Sequence, residues 1–428
     1  MNKATLNAAV AVAVLAFPAF SLPAMAQDEP AIDPSTVSVR SADKAALGAN
    51  RSTSITTGDT AGVPPALPLW QYSVVSPRDG NTYTGSMVGG NPFNRGARAT
   101  NVNVVLVPLR IQFTGTVRTF DASAPDAACL GSGNTALSLA QQSPIFNTVP
   151  NLTMNGVNLG TVTFPDGFQR ASFWSNVSKV APAYHTTFSV STVATQIITL
   201  ANNSAGSGYT ATFKGDTYCG KSDPSAVNPP RSGLIDINFM DPQLNTIISN
   251  LNLNANQFPL FIMYGIVLTE GPPATGGCCI LGYHSTVSST PTTAAPGQTY
   301  GIAEYDTGQP FSGTHDISVL SHEFLEWVND PSGNNLVPEW GNIGQVGGCA
   351  VTGNTHTAGQ NNLEVGDPLS GNLNPAILMP NGVTYHPQEL AFYSWFIGGN
   401  SLGAGGTYSS NGTFAGFAKN CSAGGGTN

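Results

Sequence analysis

Residues 321–331 read Ser-His-Glu-Phe-Leu-Glu-Trp-Val-Asn-Asp-Pro, and they predict a helix that carries chemistry. Ile317, Leu320, Phe324 and Val328 recur at helical spacing and give a buried stripe. Thr314 or Asp316 can cap the helix. Asn329-Asp330-Pro331 ends it, because proline pushes the residue before it out of the helical region. His322 and Glu326 sit one turn apart and project from a different face than the stripe. A histidine and two acids among Leu, Phe, Trp and Val are unusual for a helix that only packs. A plainer reading stays open, with Glu323 and Glu326 as surface charges and His322 as a hydrogen-bonded, partly buried histidine.

The pattern is H-E-x-x-E. In H-E-x-x-H, two histidines one turn apart hold zinc, and the glutamate beside the first is a general base. Here Glu326 stands at the second ligand position, and carboxylate oxygen also binds Zn²⁺. The motif therefore makes His322 and Glu326 candidate metal ligands, with Glu323 as the base.

The N-terminus has the form of a secretory signal. Lys3 precedes an apolar run from Ala8 to Phe20, and Ala24-Met25-Ala26 is an A-x-A cleavage site, so the mature chain is expected to begin near Gln27. The run is too short for a membrane anchor, and no other stretch is long enough to span. Secretion, or export to a periplasm, follows as an expectation. Only 9% of the residues are charged and the net charge is −9, so neither nucleic acid nor an anionic membrane has a basic patch to bind. The six cysteines, in an oxidising compartment, imply three disulfides with fifteen possible pairings. Proximity in sequence favours Cys129–Cys219 and Cys349–Cys421. The adjacent Cys278 and Cys279 either bridge each other or tie two segments.

Residues 1–26 are the expected signal peptide, and 27–66 a linker, pro-segment or disordered tail. Residues 67–235 read as β-rich. Asn103 to Phe113 is a strand with an edge or bulge at Pro108. Leu152 to Phe164 and Thr186 to Leu200 are further strand regions, with a short helix at Phe168 to Trp174 between them. From 236 to 428 the pattern changes to a catalytic region with a loop-rich C-terminal part. It holds a helix over Pro242 to Asn252 and strands at Phe258 to Thr269 and Thr299 to Tyr305. These two strands are predicted to pair in one sheet beneath the His322 helix. No G-x-S-x-G elbow, G-x-G-x-x-G loop or Walker loop is present. Glu323 and Glu326, as neighbours on one helix, cannot flank a sugar from opposite sides.

The H-E-x-x-E helix, followed about 40 residues on by Glu364 and then Asp367, resembles the zincin metallopeptidases, nearest the thermolysin-like branch. That branch takes a downstream glutamate as third zinc ligand and often a nearby acid as brace. The resemblance implies Glu364 as third ligand and Asp367 as brace, while Glu326 departs from it. Ser321-His322-Glu323…Glu326…Asp330-Pro331, Glu364-Val-Gly-Asp367, Gly282-Tyr283-His284 and Phe168-Gln169-Arg170…Phe173-Trp174 are also similar to a group of secreted bacterial proteins with S-H-E-x-x-E-A-x-T-D-P and E-I-G-D motifs, over roughly residues 100–396. The fold implied is α+β, a β-rich N-terminal part packed on a zincin-like core with a central active-site helix.

With His322, Glu326 and Glu364 as ligands, the site would be near neutral around Zn²⁺. That raises the pKa of bound water relative to a histidine-rich site. Glu323 would pass the proton from water to the leaving amine. His386 or Tyr393 could donate to an oxyanion. His284 is a further ligand or donor, and Asp330 and Asp367 could orient His322. Plainer roles compete: Glu364 and Asp367 capping a turn at Gly366, Asp330 capping the helix end, His386 an ordinary histidine. Oxygen-rich ligation leaves Ca²⁺ open as a structural ion. Two functions follow as expectations: a monomeric, secreted zinc peptidase acting on polypeptides, or a non-enzymatic exported binding or surface protein with a structural metal ion.

Overall fold

Ala99–Thr114 (β1) is a strand of 16 residues on which the rest is assembled. Its middle is apolar on both faces, as a strand covered on both sides requires. Val102, Val104 and Leu106 enter one core. Val105, Val107, Leu109, Ile111 and Phe113 enter the other. The structure, a computed structural model, describes residues 66–116, 119–211, 213, 232–288, 291–292, 295–307, 311, 313–341 and 360–418. The expected signal peptide, nearly all of the expected linker, and Cys219, Cys349 and Cys421 lie outside them.

The main sheet adds His185–Thr192 (β2), Gln196–Ala201 (β3), Gln257–Met263 (β4), Gly282–Thr286 (β5) and Thr299–Glu304 (β6). Its order runs β5-β6-β4-β1, with β2 and then β3 alongside β1. All these pairs are parallel except β5, which runs antiparallel at the edge. The short strand Thr119–Asp121 also runs antiparallel to β1. The central strand thus comes from the first predicted region and its neighbours β4 and β6 from the second.

Helices cover both faces, and the architecture is α+β. Ile237–Asn250 (α2) follows Phe164–Ser172 (α1) in the chain. It puts Met240, Leu244, Ile247 and Ile248 against Phe261, Met263, Tyr300 and Ile302. Asp236 caps it, and it begins at Ile237, five residues before the expected start. Ser318–Asn329 (α3) lies on the opposite face, over β5 and β6. Phe258 of β4 stacks on Trp327 of α3 with ring centroids 3.6 Å apart. The Trp327 indole N–H donates to Thr299 Oγ1 at 2.9 Å. No helix among the described residues is long and apolar enough to cross a membrane.

Several expectations need correction. Pro108 is not at an edge. It lies in the central strand, where β2 ends its register at Leu106 and β3 begins at Leu109. Its missing N–H falls where one partner gives way to the next. Phe258 to Thr269 is two strands. Gly265, at φ 70°, turns the chain after Tyr264, and Ile266–Glu270 joins Ser232–Asp236 in a separate sheet. The first half still pairs with β6 as predicted. Leu152 to Phe164 holds only a small hairpin around Asn155-Gly156, and α1 begins at Phe164 because Thr163 caps it and Pro165 fits its first turn.

Around α3, neither Thr314 nor Asp316 caps the helix; Ile317 occupies that position without a side-chain hydrogen bond. The stop holds, with Asp330 at φ −139° and ψ 73°. All twelve residues of α3 are buried, so its acids are not surface charges. The Leu69–Val75/Thr82–Val88 hairpin closes over it. Asn335 joins the two, donating to Ser86 O at 2.6 Å and Asn329 O at 2.7 Å. Cys278 is bonded to Cys279. Cys129 is disulfide-bonded to a partner outside the described residues.

Replacing Trp327 by Ala should remove the stack and leave a cavity between α3 and β4. A loss of roughly 3–5 kcal/mol is expected for such a deletion. It is measured as a lower urea midpoint at unchanged slope; a midpoint within error of the parent's would contradict this packing.

Candidate metal centre

Strand alternation decides which residues of β5 face α3. Tyr283 enters the core under α2, so Gly282 and His284 face the other way. A Cβ at Gly282 would lie 2.6 Å from Glu323 Cγ, so the glycine lets strand and helix approach. After the helix, Asp330 takes the backbone N–H groups of Asn334 (2.9 Å) and Asn335 (2.9 Å) and builds the turn that sends the chain away. The chain returns at residues 363–367, held by Leu363 N–H to Asn335 O and Ala391 N–H to Val365 O. Glu364 and Asp367 thereby reach the same face of α3.

Six ionisable side chains meet there: His284, His322, Glu323, Glu326, Glu364 and Asp367, none more than 5% exposed. Glu326 Oε1 accepts the N–H groups of Gly366 (3.1 Å) and Asp367 (3.2 Å). The same oxygen lies 3.0 Å from His322 Nε2, and Asp367 Oδ1 lies 3.4 Å from that nitrogen. Neither contact has hydrogen-bond geometry at Nε2. On the other side of the ring, Nδ1 is 3.0 Å from Gln388 Oε1. The Gln388 amide nitrogen donates to Gly366 O at 2.7 Å, so its oxygen faces the ring and Nδ1–H is the donor. In the neutral ring the lone pair then sits on Nε2, aimed at the carboxylates, which is the state of a metal-ligating histidine. His284 Nε2 lies 3.0 Å from Glu364 Oε2.

These atoms form two convergent groups. One is His284, Glu326 and Glu364; the other is His322, Glu323 and Glu326, and within each the ligand atoms lie within 4.8 Å of one another. Ligands 2.0–2.2 Å from a tetrahedral zinc are separated by roughly 3.4 Å. The donor chemistry and spacing fit a divalent cation. The trio read from the sequence, His322, Glu326 and Glu364, is divided between the two groups, and His284 joins Glu326 and Glu364 in the first.

The electrostatics follow from burial and crowding. Burial disfavours the His322 imidazolium, but Glu326, Asp367 and Glu323 together outweigh it and hold the ring protonated well above its ordinary range. Burial pushes the Glu323 carboxyl up to about 8; His322 opposes this and Glu326 adds to it.

The remaining expected residues lie elsewhere. Tyr393 packs its ring against Tyr72 and Phe173, with centroids 5.2 and 5.5 Å away. His386 is clamped by Asp316, Nδ1 to Oδ2 at 2.6 Å, and is partly exposed. The Asp330 carboxylate accepts the N–H groups of the turn. Gln388 orients His322 instead, and no sequence signal marks it. A Cβ at Gly366 would lie 2.5 Å from His322 Nδ1.

Two outcomes are expected. Gly366→Ala should push the His322 ring aside and weaken metal binding by about 10–100-fold, as loss of an orienting neighbour does, in a calorimetric titration; parent-like affinity would refute the close approach. In the metal-free protein, Glu323 keeps a proton that the unfolded chain loses between pH 4.5 and about 8, so the folded state binds more protons there. His322, raised above its ordinary value, acts with the same sign. Stability must fall as pH rises across that window. A melting temperature that climbs with pH would contradict both shifts.

The chain matches no protein-family model, no curated protein and no solved structure. The functional reading therefore stands on the buried cluster of α3, β5 and the returning loop.

Proposed function

We propose that the protein is an exported, metal-dependent hydrolase of the peptidase kind, with Glu323 as its general base. The observation that carries this is the convergence of His284, Glu326 and Glu364 beside a further buried carboxyl of the same helix, Glu323. A carboxylate beside the ion's own ligands can take a proton from water and pass it to a leaving amine. A bound Zn²⁺ supplies Lewis acidity, polarising a substrate carbonyl and acidifying water. His284, Glu326 and Glu364 would hold the ion. His322 Nε2 lies 3.0 Å from Glu326 Oε1, and Gln388 fixes the His322 ring. The backbone N–H groups of Gly366 and Asp367 keep Glu326 from turning away. The H-E-x-x-E helix and the later Glu364 support a polypeptide as substrate, through the likeness to zincins.

One observation favours a second reading. The six side chains are enclosed, and α3 is buried on every side. A structural ion in a non-enzymatic binding protein would sit in such a place.

Glu323→Gln separates the two. It should keep an ion at His284, Glu326 and Glu364, while casein hydrolysis falls by roughly 10²–10⁴-fold, the usual cost of losing a general base. Metal content by elemental analysis and hydrolysis with and without chelator are the measurements. Bound metal with no hydrolysis at any loading in the parent protein would leave the structural ion.

A further inference from the structure

The two ligand groups are distinct trios that share one residue. His284, from the edge strand, and Glu364, from the returning loop, meet Glu326 from one side. His322 and Glu323, from the helix itself, meet it from the other. A single tetrahedral ion takes one imidazole and one or two carboxylates from a set this size and leaves the second imidazole unused. Yet the second imidazole is prepared as a ligand. His322 has Nδ1 occupied by Gln388, and its buried Nε2 faces the carboxylates, 3.0 Å from Glu326 Oε1 and 3.4 Å from Asp367 Oδ1, without hydrogen-bond geometry to either.

The charge count points the same way. Glu323, Glu326, Glu364 and Asp367 carry four negative charges when ionised, and the two imidazoles are neutral when they ligate. One divalent cation leaves the cluster at −2 in a buried place; a pair balances it. Buried charge is tolerated when it is paired.

We propose that the cluster binds two divalent cations, one on His284, Glu326 and Glu364 and one on His322, Glu323 and Glu326, with the Glu326 carboxylate between them. A shared carboxylate sets such ions roughly 3.5–4 Å apart. The binding claim stands without the hydrolase reading. A regulatory consequence rests on that reading: the second cation occupies Glu323 and so removes the base. Hydrolysis should rise as the first ion loads and fall as the second does, by as much as the roughly 10²–10⁴-fold that loss of the base costs.

The test is a titration of the metal-free full chain with Mn²⁺. It is followed by elemental analysis and electron paramagnetic resonance, with casein cleavage measured in parallel. The expected result is two Mn²⁺ per chain, the second more weakly held, with an exchange-coupled spectrum at full loading. His284→Ala and Glu323→Gln should each leave one ion and abolish the coupled signal. Saturation at one ion, or two ions with uncoupled spectra, would overturn the proposal. So would a variant with the parent's melting behaviour that loses both ions. If a variant fails to fold, the parent's stoichiometry and spectrum decide alone. Two coupled ions with no cleavage at any loading would keep this site and remove the hydrolase. Cleavage at saturation with one ion would do the reverse.

Discussion

A carboxylate with 1% of its surface exposed must find partners or not be charged, and Glu326 finds them on three sides. Two backbone N–H groups from residues 366 and 367 and the His322 ring converge on one of its oxygens. The returning loop is docked on α3 by these bonds, and Glu364 arrives with it. This gives a physical reason for a glutamate where a zinc-protease helix has its second histidine. A neutral imidazole has one acceptor nitrogen and could not take both N–H groups and a cation as well.

The sheet supplies the opposite wall. Alternation along β5 sends Tyr283 to one face and His284 to the other. The Tyr283 hydroxyl donates to Asp241 Oδ1 at 3.2 Å, and Tyr300 of β6 donates to the same oxygen. The strand that presents His284 is thus moored from behind by the residue beside it and by its neighbour strand. Positioning is achieved by fixing the back of the strand, which leaves its front free for ligands.

The helix was legible because apolar spacing and the Asp330-Pro331 stop are local signals. The pairing of β4 with β6 was legible from two short apolar, β-branched runs. What lay beyond reading was non-local. Tyr264-Gly265 looks like a continuation of an apolar run, and only the left-handed turn at Gly265 divides it. Pro108 argues for an edge until the two successive partners of β1 are known. Complete burial of α3 depends on the hairpin at 69–88, whose sequence gives no hint of its destination. Of the cluster, the helix motif and the Glu364…Asp367 spacing were readable. His284 became a ligand candidate of equal standing only through strand alternation. Gln388 could not be found, since an isolated glutamine after His386-Pro387 carries no pattern.

The central position of β1 has a kinetic side. Its parallel pairing with β4 joins Leu106 to Leu260. Parallel contacts between segments so distant form late, because loop closure must precede any gain from the pairing. The six cluster residues sit on β5, α3 and the returning loop, and the first two rest on that sheet. A cation therefore has no assembled cradle in early, partly collapsed chains. It meets its ligands only after the longest-range contacts are in place, so its arrival marks the completion of folding rather than seeding it.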